Sequence, residues 1–307
     1  MNQTKLILLI VMLLIVHQIS FGQELSKAVT DFIEIQDSNV VIKNATLIDG
    51  TGAAVKYNQD ILVQNKRITA IGNKGELKVP ENVRIIDATG KTVIPGLIMM
   101  HEHLFHAKPF FGTYKAVHMT NTFPQLYLAG GVTTMRTAGS IEAGADLNIK
   151  NLIEQGKRLG PRIDVSTPHM EREGLVGDYI AQLQSLYGGE NIENWLKYWF
   201  DKGITSVKVY NNFTKDDLRE IIKVSHARNI KVTGHLCSIT YLEAAEMGID
   251  NLEHSFMAST DFVPNKKENE CQYGDLSLAE LDEDDPKLIE LMQFLIDKNV
   301  TLTYTPN

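Results

Sequence analysis

The chain has 307 residues, of which 43% are hydrophobic and 22% charged, and its formal net charge is −8 at pH 7. This composition is typical of a globular chain large enough for a barrel-sized domain and a small accessory one, and it excludes disordered and collagen-like classes. No cluster of Lys or Arg lies on a predicted helix face. We therefore expect no nucleic-acid partner and favour a small or peptide-like one.

The first 22 residues form a separate unit. Lys5 supplies a positive start, residues 6–16 form an apolar run, and residues 20–22 place small side chains ahead of a cut before Gln23. We interpret this unit as a secretory signal peptide, so we expect the protein in the periplasm or the extracellular space. The apolar run is short for a membrane span, and an uncleaved signal that anchors the protein to the membrane is the alternative.

Cys237 and Cys271 are the two cysteines of the sequence. Two cysteines are too few for a disulfide framework, even in an oxidising compartment. The stability of the fold must therefore come from its hydrophobic core.

Residues 39–93 carry short β-rich runs separated by turns: NVVIKNATLIDG, DILVQNKRITAIG and VRIIDATGKTVIPG. They predict a small β domain. From Val93 onward, strand-like runs alternate with helix-like segments, which is the βα pattern of a parallel sheet or barrel. We therefore predict a second domain at residues 94–307.

The second domain is predicted to contain seven strands. They lie at 93–103, 131–138, 161–167, 204–210, 230–236, 249–255 and 300–307. Helices are predicted at 120–128, 145–155, 215–228, 239–247 and 286–298, with a helix-rich insertion at 177–202 and an acidic loop at 266–285 that we interpret as a solvated lid or insertion. A closed (β/α)₈ barrel needs eight strands, so we expect an incomplete barrel, one strand and at least one helix short.

Four histidines stand at the ends of predicted strands, where barrel enzymes carry their catalytic groups. His101 and His103 end the run VIPGLIMMHEH and share one face, because side chains alternate along a strand. His235 ends IKVTGHL, and His254 ends IDNLEHS. A single histidine here is as consistent with a hydrogen-bonded core residue, but four in register predict a metal site, since neutral imidazole is the commonest metal ligand.

Lys208 lies inside the apolar strand ITSVKVY, between Val207 and Val209. A charged lysine is costly to bury there. One interpretation is that a partly neutral amine takes up CO2 and becomes a carbamate that bridges two metal ions. The alternative is a lysine whose charged end reaches out to solvent.

Tyr210 and Arg136 are two further candidates. Tyr210 would face the same interior as Lys208, where it could polarise a carbonyl or bind the substrate, or simply fill a barrel layer. Arg136 ends the strand GVTTMRTA, and its planar guanidinium suits a substrate carboxylate. A structural salt bridge is the alternative for Arg136.

These motifs together resemble a known family. PGLIMMHEH, Lys208 in VKVY, His235 in TGHL and His254 in NLEHS resemble the metal motifs of the amidohydrolase superfamily, in the imidazolonepropionase-like branch that includes Xaa-Pro dipeptidases. The resemblance spans residues 39–307. It implies an α/β fold, a (β/α)₈ TIM barrel with a small β-sandwich domain that is built from both chain ends.

The resemblance also implies two divalent metal ions, usually zinc. His101 and His103 would bind the more buried ion, His235 and His254 the other, and a carbamylated Lys208 would bridge them. A metal-bridging hydroxide would attack an amide carbonyl, with Lys208, Tyr210 and His254 as catalytic residues.

The sequence departs from the family pattern at three places. Met99 stands where many relatives have Asp, and Arg136-Thr137 stands where many have Arg-Asp. The aspartate of the eighth strand, which binds metal and shuttles the proton in the family, has no match before Asn307. We therefore expect a copy of the barrel that is truncated before its eighth strand.

Three functions remain open on the sequence. We favour a metal-dependent hydrolase of a carbon–nitrogen bond in a small amide, a dipeptide or an N-acyl amino acid. A non-catalytic, truncated relative is the second, and a lactone or phosphotriester hydrolase on the same site is the third. Whether the protein is a homo-oligomer is also open.

Overall fold

The computed structural model describes residues 25–110, 113–172, 185–186, 191–272 and 281–305. The chain divides into two compact units between Leu97 and Ile98. The helices of the described ranges include none that is long and apolar enough to cross a membrane. The predicted signal peptide lies outside the described residues, as do parts of the predicted insertion at 177–202 and of the acidic loop at 266–285.

The first unit is built around a β-sheet. In chain order its elements are α1 (Lys27–Thr30), β1 (Asn39–Leu47), β2 (Lys56–Gln64), β3 (Arg67–Asn73), β4 (Arg84–Asp87) and β5 (Thr92–Val93). The central strand β1 pairs with β2 in antiparallel fashion and with β4 and β5 in parallel, and β2 also pairs with β3. This sheet agrees with the predicted β-rich runs, whereas the β-sandwich stays a prediction.

The second unit alternates strands and helices. Its elements are β6 (Leu97–Glu102), β7 (Phe105–Phe110), β8 (Thr113–His118), α2 (Phe123–Ala129), β9 (Val132–Thr137), α3 (Ala143–Glu154), β10 (Arg162–Asp164), β11 (Glu171–Arg172), β12 (Ser185–Leu186), α4 (Ile192–Asp201), β13 (Ser206–Val209), α5 (Lys215–His226), β14 (Lys231–Gly234), α6 (Tyr241–Met247), β15 (Asn251–Glu253), α7 (Pro286–Asp297) and β16 (Thr301–Thr303). Each predicted strand contains an observed strand that is shorter at its ends. The hairpin of β7 and β8 had no counterpart among the predicted elements.

Seven strands of this unit lie side by side in the order of the chain and form an array: β6, β9, β10, β13, β14, β15 and β16. Strands β6, β9 and β10 form one sheet, and β13 to β16 form another. The pairs β9/β10, β13/β14, β14/β15 and β15/β16 are parallel. Two parallel bridges, Ser166 to Ser206 and Met170 to Val209, continue the order from β10 to β13. This order is the one that successive right-handed βα units produce.

Side chains alternate along each strand between two sides of the array. One side packs against the helices and forms the hydrophobic core, and the other faces the interior that the strands surround. Val207 and Val209 on β13 belong to the same hydrophobic cluster as Leu218 and Ile221 on α5. Their side chains therefore point towards the helices. Lys208, which lies between the two valines, must point the opposite way, into the interior.

The array is open between its two outer strands. No described strand lies between β6 and β16, and a cavity of about 510 Å3 separates them, lined by residues 98–102, Asn251 and residues 301–305. Ile98 is 63% exposed although β6 is apolar. The closed barrel that the resemblance implied is thus not formed by the described residues, because they supply seven strands to the array and closure needs eight.

The two cysteines form a disulfide bond across 34 residues. Cys237 is fully buried and follows β14 by three residues, and Cys271 lies in the acidic loop at 266–285. The bond is a single cross-link and not a framework. It fixes that loop to the strand end that carries His235.

Candidate metal and active site

His101 and His103 lie at the end of β6 and point to the same side. Their ring centroids are 5.4 Å apart. The Nδ1 atom of His101 lies 2.7 Å from Oε2 of Glu253, and Nδ1 of His103 lies 3.1 Å from the carbonyl oxygen of Gly139. A carbonyl oxygen can only accept, so Nδ1 of His103 carries the proton and Nε2 is left as an acceptor.

His235 and His254 complete a group of four neighbouring imidazoles. The ring centroid of His254 lies 4.4 Å from that of His101 and 4.3 Å from that of His235. The Nδ1 atom of His254 lies 2.9 Å from Oγ1 of Thr305. The structure therefore brings together the four histidines that the sequence predicted to share a site.

His254 reaches the interior through an unusual backbone conformation. Leu252 belongs to the hydrophobic cluster on the helical side, so alternation points Glu253 inward and would point the next residue outward. His254 has a φ of 63°, which is uncommon for a residue other than glycine. The buried hydroxyl of Tyr241 lies 2.9 Å from the carbonyl oxygen of Glu253 and 2.8 Å from that of Ser255, so it holds the turn.

His103, His235 and His254 are neutral at physiological pH. Burial lowers the pKa of His103 to about 3 and that of His254 to about 4, with further lowering by neighbouring cationic groups. Burial also holds the pKa of His235 well below its ordinary value. Neutral imidazoles keep a free lone pair, which is the form that binds metal.

Lys208 is 1% exposed, and its amine forms no hydrogen bond to any described residue. Its nearest acidic partner is Oε1 of Glu253, at 3.8 Å from Nζ. Burial lowers the pKa of Lys208 to about 8, although the Glu253 carboxylate opposes the shift. About a tenth of the amine is therefore neutral at pH 7.

Glu253 is a residue that the sequence analysis missed. It is fully buried, and its carboxylate accepts hydrogen bonds from Nη2 of Arg136 at 2.6 Å and from the hydroxyl of Thr233, besides its contact with His101. Burial alone would raise the pKa of Glu253, but Lys208, His101 and Arg136 together hold it well below the ordinary range. Its position directly before His254 was the available signal.

Arg136 is engaged within the protein. Besides Glu253, its Nε donates to the carbonyl oxygen of Met100 at 2.9 Å. These contacts form the structural salt bridge that was the alternative for this residue. Its contact with a substrate carboxylate stays a prediction.

Tyr210 and His169 form the neighbouring wall of the site. The ring centroid of Tyr210 lies 4.9 Å from that of His235 and 5.2 Å from that of His169, and His169 in turn lies 5.8 Å from His103. Burial and the nearby Glu171 raise the pKa of Tyr210, so its hydroxyl is protonated at neutral pH.

The sequence analysis also missed His169 itself. It follows the strand run PRIDVST, which is the same signal that identified the other four histidines. A Cβ atom at Gly139, where φ is +100°, would come within 2.5 Å of the His169 ring. Gly139 therefore makes room for this ring and cannot be replaced without moving it.

Glu171 is a second missed residue, at 1% exposure. Its Oε1 atom accepts a hydrogen bond of 2.8 Å from Nδ2 of Asn212, whereas Oε2 has no partner among the described residues. Burial raises the pKa of Glu171 to about 7, against the hydrogen bond from Asn212.

Comparison with known proteins shows the family. A model of the amidohydrolase family matches residues 92–268, more than half of the chain. The chain belongs to the amidohydrolase family. The resemblance inferred from the sequence is thereby confirmed, and the parallel array is the described part of the family's TIM-barrel-like α/β fold.

Two curated amidohydrolase relatives match parts of the chain. A dihydroorotase from Thermoanaerobacter sp. (strain X514) is 30% identical over 150 residues, which is 48% of this chain and 32% of that protein. An enamidase from Eubacterium barkeri is 37% identical over 105 residues, 34% of this chain and 26% of that protein. The chain thus matches about a third or less of the length of these relatives.

Solved structures agree in fold. A prolidase-like protein from Bifidobacterium longum has a TM-score of 0.58 at 25% identity, over 71% of this chain and 54% of that one. An Xaa-Pro dipeptidase with bound methionine in its active site has a TM-score of 0.63 at 18% identity, over 86% of this chain and 66% of that one.

The residues at the amidohydrolase site fit a metal in their chemistry. As they stand, no three His, Cys, Asp or Glu side chains of the described ranges are close enough to form a ready-made metal site. Two imidazoles on one zinc would place their centroids roughly 5 Å apart, however, and the centroids lie 5.4 Å apart for His101 and His103 and 4.3 Å apart for His235 and His254. Three Nδ1 atoms are engaged, as in metal-binding histidines.

Proposed function

We propose that this chain binds two divalent metal ions, in the first place zinc, and hydrolyses a carbon–nitrogen bond in a small amide, N-acyl amino acid or dipeptide. One observation carries the proposal. Four imidazoles, three of them engaged through Nδ1, are gathered at one end of the array beside the buried amine of Lys208. The amidohydrolase family and its prolidase-like structural neighbours support the substrate class.

Each ligand has an assigned place in this proposal. His101 and His103 would hold one ion, and His235 and His254 would hold the other. The neutral Lys208 amine would attack CO2, form a carbon–nitrogen bond and lose a proton, and the resulting carbamate would supply a further ligand. When bound, the ions would acidify a water molecule and polarise the scissile carbonyl.

The surrounding side chains orient these groups. Glu253 fixes the ring of His101 through Nδ1, which would leave Nε2 to bind an ion. Arg136 holds Glu253 in place. The protonated hydroxyl of Tyr210 donates a hydrogen bond to the substrate carbonyl oxygen, and this bond strengthens as negative charge develops there.

We also propose that the protein is exported. The leader-like residues 1–22 carry this proposal, and the Cys237–Cys271 disulfide supports it, because disulfides persist in oxidising compartments. Detection of the protein in a periplasmic or culture fraction, with an N-terminus at Gln23, tests it. A protein that stays in the cytosolic fraction contradicts export.

The metal assignment is tested by metal content and turnover together. We expect the zinc-loaded protein to bind two ions, and His101→Ala or His235→Ala to lose most of one. His106→Ala, at an exposed histidine on β7, is the matched control and should keep both ions. Full metal occupancy in both site variants contradicts the assignment.

A substrate panel separates the remaining alternatives. Turnover of dipeptides or N-acyl amino acids supports the proposal. Turnover of lactones or phosphotriesters alone makes the substrate class wrong, and metal binding without any turnover favours the non-catalytic relative.

The bridging role of Lys208 has its own test. Lys208→Ala should lose metal and activity, and short carboxylic acids should restore part of both by replacing the carbamate. Unchanged activity in this variant contradicts the carbamate. Lys231→Ala, at an exposed lysine that starts β14, is the control.

A further inference from the structure

Glu171 points into the same interior as the metal-site residues. Met170 belongs to the hydrophobic cluster on the helical side and pairs with Val209 in a parallel bridge. The next residue on each chain, Glu171 and Tyr210, therefore projects inward side by side. The two side chains interact, since the Glu171 carboxylate contributes to the raised pKa of Tyr210. Tyr210 also contacts His235, which places Glu171 one side chain away from the metal ligands.

The Glu171 carboxylate has no cationic partner within the described residues. Arg172, the nearest arginine in sequence, forms a salt bridge with Asp217 at 2.8 Å instead. Among the described residues the polar contacts of Glu171 come from Asn212, through its side-chain amide and its backbone, and the buried Oε2 atom has no hydrogen-bond partner there. A buried carboxylate without a counter-charge is unfavourable unless a ligand supplies one.

Asn211 adds a second unsatisfied group. It is 1% exposed, and its side-chain amide has no close hydrogen-bond partner within the described part of the chain, although its proximity to the Tyr210 hydroxyl lowers the pKa of Tyr210. Oε2 of Glu171 is an acceptor that matches the donors of a primary ammonium group. The amide oxygen of Asn211, which lies between Tyr210 and Asn212 in the chain, is a second acceptor at the end of the same strand.

We infer that Glu171, with Asn211 and Asn212, binds the cationic α-amino group of a dipeptide substrate. The inference rests on the proposed function and narrows its substrate class: the preferred substrates are dipeptides with a free amino terminus, and N-acyl amino acids are poorer. Asn212 orients the carboxylate through Oε1, and Oε2 accepts from the ammonium group. The amide carbonyl next to that group then lies on the side of Tyr210 and the metal ligands.

The test uses two matched pairs of small molecules on the zinc-loaded protein. Alanyl-proline and N-propionyl-proline share the scissile amide and differ in the amino group alone. Their ketomethylene-type analogues, in which a ring CH replaces the proline nitrogen, are not hydrolysed and report binding by calorimetry. Glu171→Gln keeps the shape and the acceptor for Asn212 but removes the charge, and Glu220→Gln, at an exposed glutamate on α5, is the matched control.

We expect the wild-type protein to bind the ketomethylene analogue that carries the amino group at least tenfold more tightly than the one without it. Glu171→Gln should remove this preference, raise the KM for alanyl-proline at least tenfold, and change the KM for N-propionyl-proline less than threefold. Such a split reports lost binding of one group and not a general structural defect.

Two results overturn the inference. One is equal affinity of the wild-type protein for the two analogues. The other is an equal rise in KM for both substrates in Glu171→Gln with unchanged metal content. Failure of the proposed function gives a different result, since neither proline substrate would then be hydrolysed by the wild-type protein. The binding preference of the analogues would still decide the role of Glu171.

Discussion

Glu253, at the end of β15, and Glu171, at the start of β11, are two buried glutamates with opposite surroundings. Glu253 is surrounded by Arg136, His101 and Thr233, with Lys208 close by. Glu171 accepts a hydrogen bond from the side-chain amide of Asn212, and its Oε2 atom has no partner among the described residues. The pKa of Glu253 lies well below its ordinary value of 4.5, whereas that of Glu171 is raised to about 7.

The difference shows how one fold uses buried charge for two purposes. A carboxylate that the protein neutralises is fixed in place, and it can orient a metal-binding ring such as that of His101. A carboxylate that the protein leaves unpaired is held ready for a positively charged ligand. The unpaired carboxylate destabilises the folded protein as long as no ligand is bound.

The largest effect is expected from breaking the neutralised site. Arg136→Met should lower the free energy of unfolding of the metal-free protein by roughly 3–5 kcal/mol at pH 7, because it leaves Glu253 buried without its arginine. Urea denaturation measures the change. Arg162→Met, at an exposed arginine on β10, should stay within about 0.5 kcal/mol. A loss below 1 kcal/mol for Arg136→Met would mean that the pair does not hold the Glu253 charge.

The second effect has the opposite sign. Because the pKa of Glu171 is raised in the folded state, that state holds an extra proton between pH 4.5 and about 7, and stability falls as the pH rises through this window. Glu171→Gln should therefore stabilise the unliganded protein at pH 8, by up to about 3 kcal/mol, and the gain should vanish below pH 4.5. The stabilisation that the charged Glu253 provides has the opposite pH dependence. It is present above pH 4.5 and is lost only in stronger acid.

Urea denaturation of wild-type protein and Glu171→Gln at several pH values measures this window. Parallel pH profiles for the two proteins would show that Glu171 is charged and satisfied in the folded state. Glu220→Gln again serves as the exposed control.

The sequence predicted the strands and four of the imidazoles because both depend on local rules. His101, His103 and His235 follow from alternation at a strand end, which needs no knowledge of neighbouring strands. The closure of the barrel is a different matter, since it depends on which strands meet at β6 and β16. The hairpin after His103 was equally out of reach, as its pairing is not marked by a recognisable turn.

The two glutamates behind the histidines, Glu253 and Glu171, could not be predicted from the sequence, and the reason is geometric. Glu253 and His254 are adjacent, and strict alternation would send one of them outward. Both face the interior because His254 adopts a left-handed conformation that the hydroxyl of Tyr241 supports from another element. The partner of Glu171 likewise depends on the register between two strands, which the bridge from Met170 to Val209 defines.

The smallest effect concerns the orientation of Glu171 by Asn212. Asn212→Ala removes one hydrogen bond and should cost about 1 kcal/mol of stability at pH 8, where Glu171 is charged. In a Glu171→Gln background the same change should cost less, because a neutral acceptor gains less from the bond. A double-mutant cycle measured by urea denaturation gives the coupling between the two residues. Additive costs would mean that Asn212 stabilises its own loop and does not orient the carboxylate, and the preference for a free amino group would then have to arise from Glu171 and Asn211 alone.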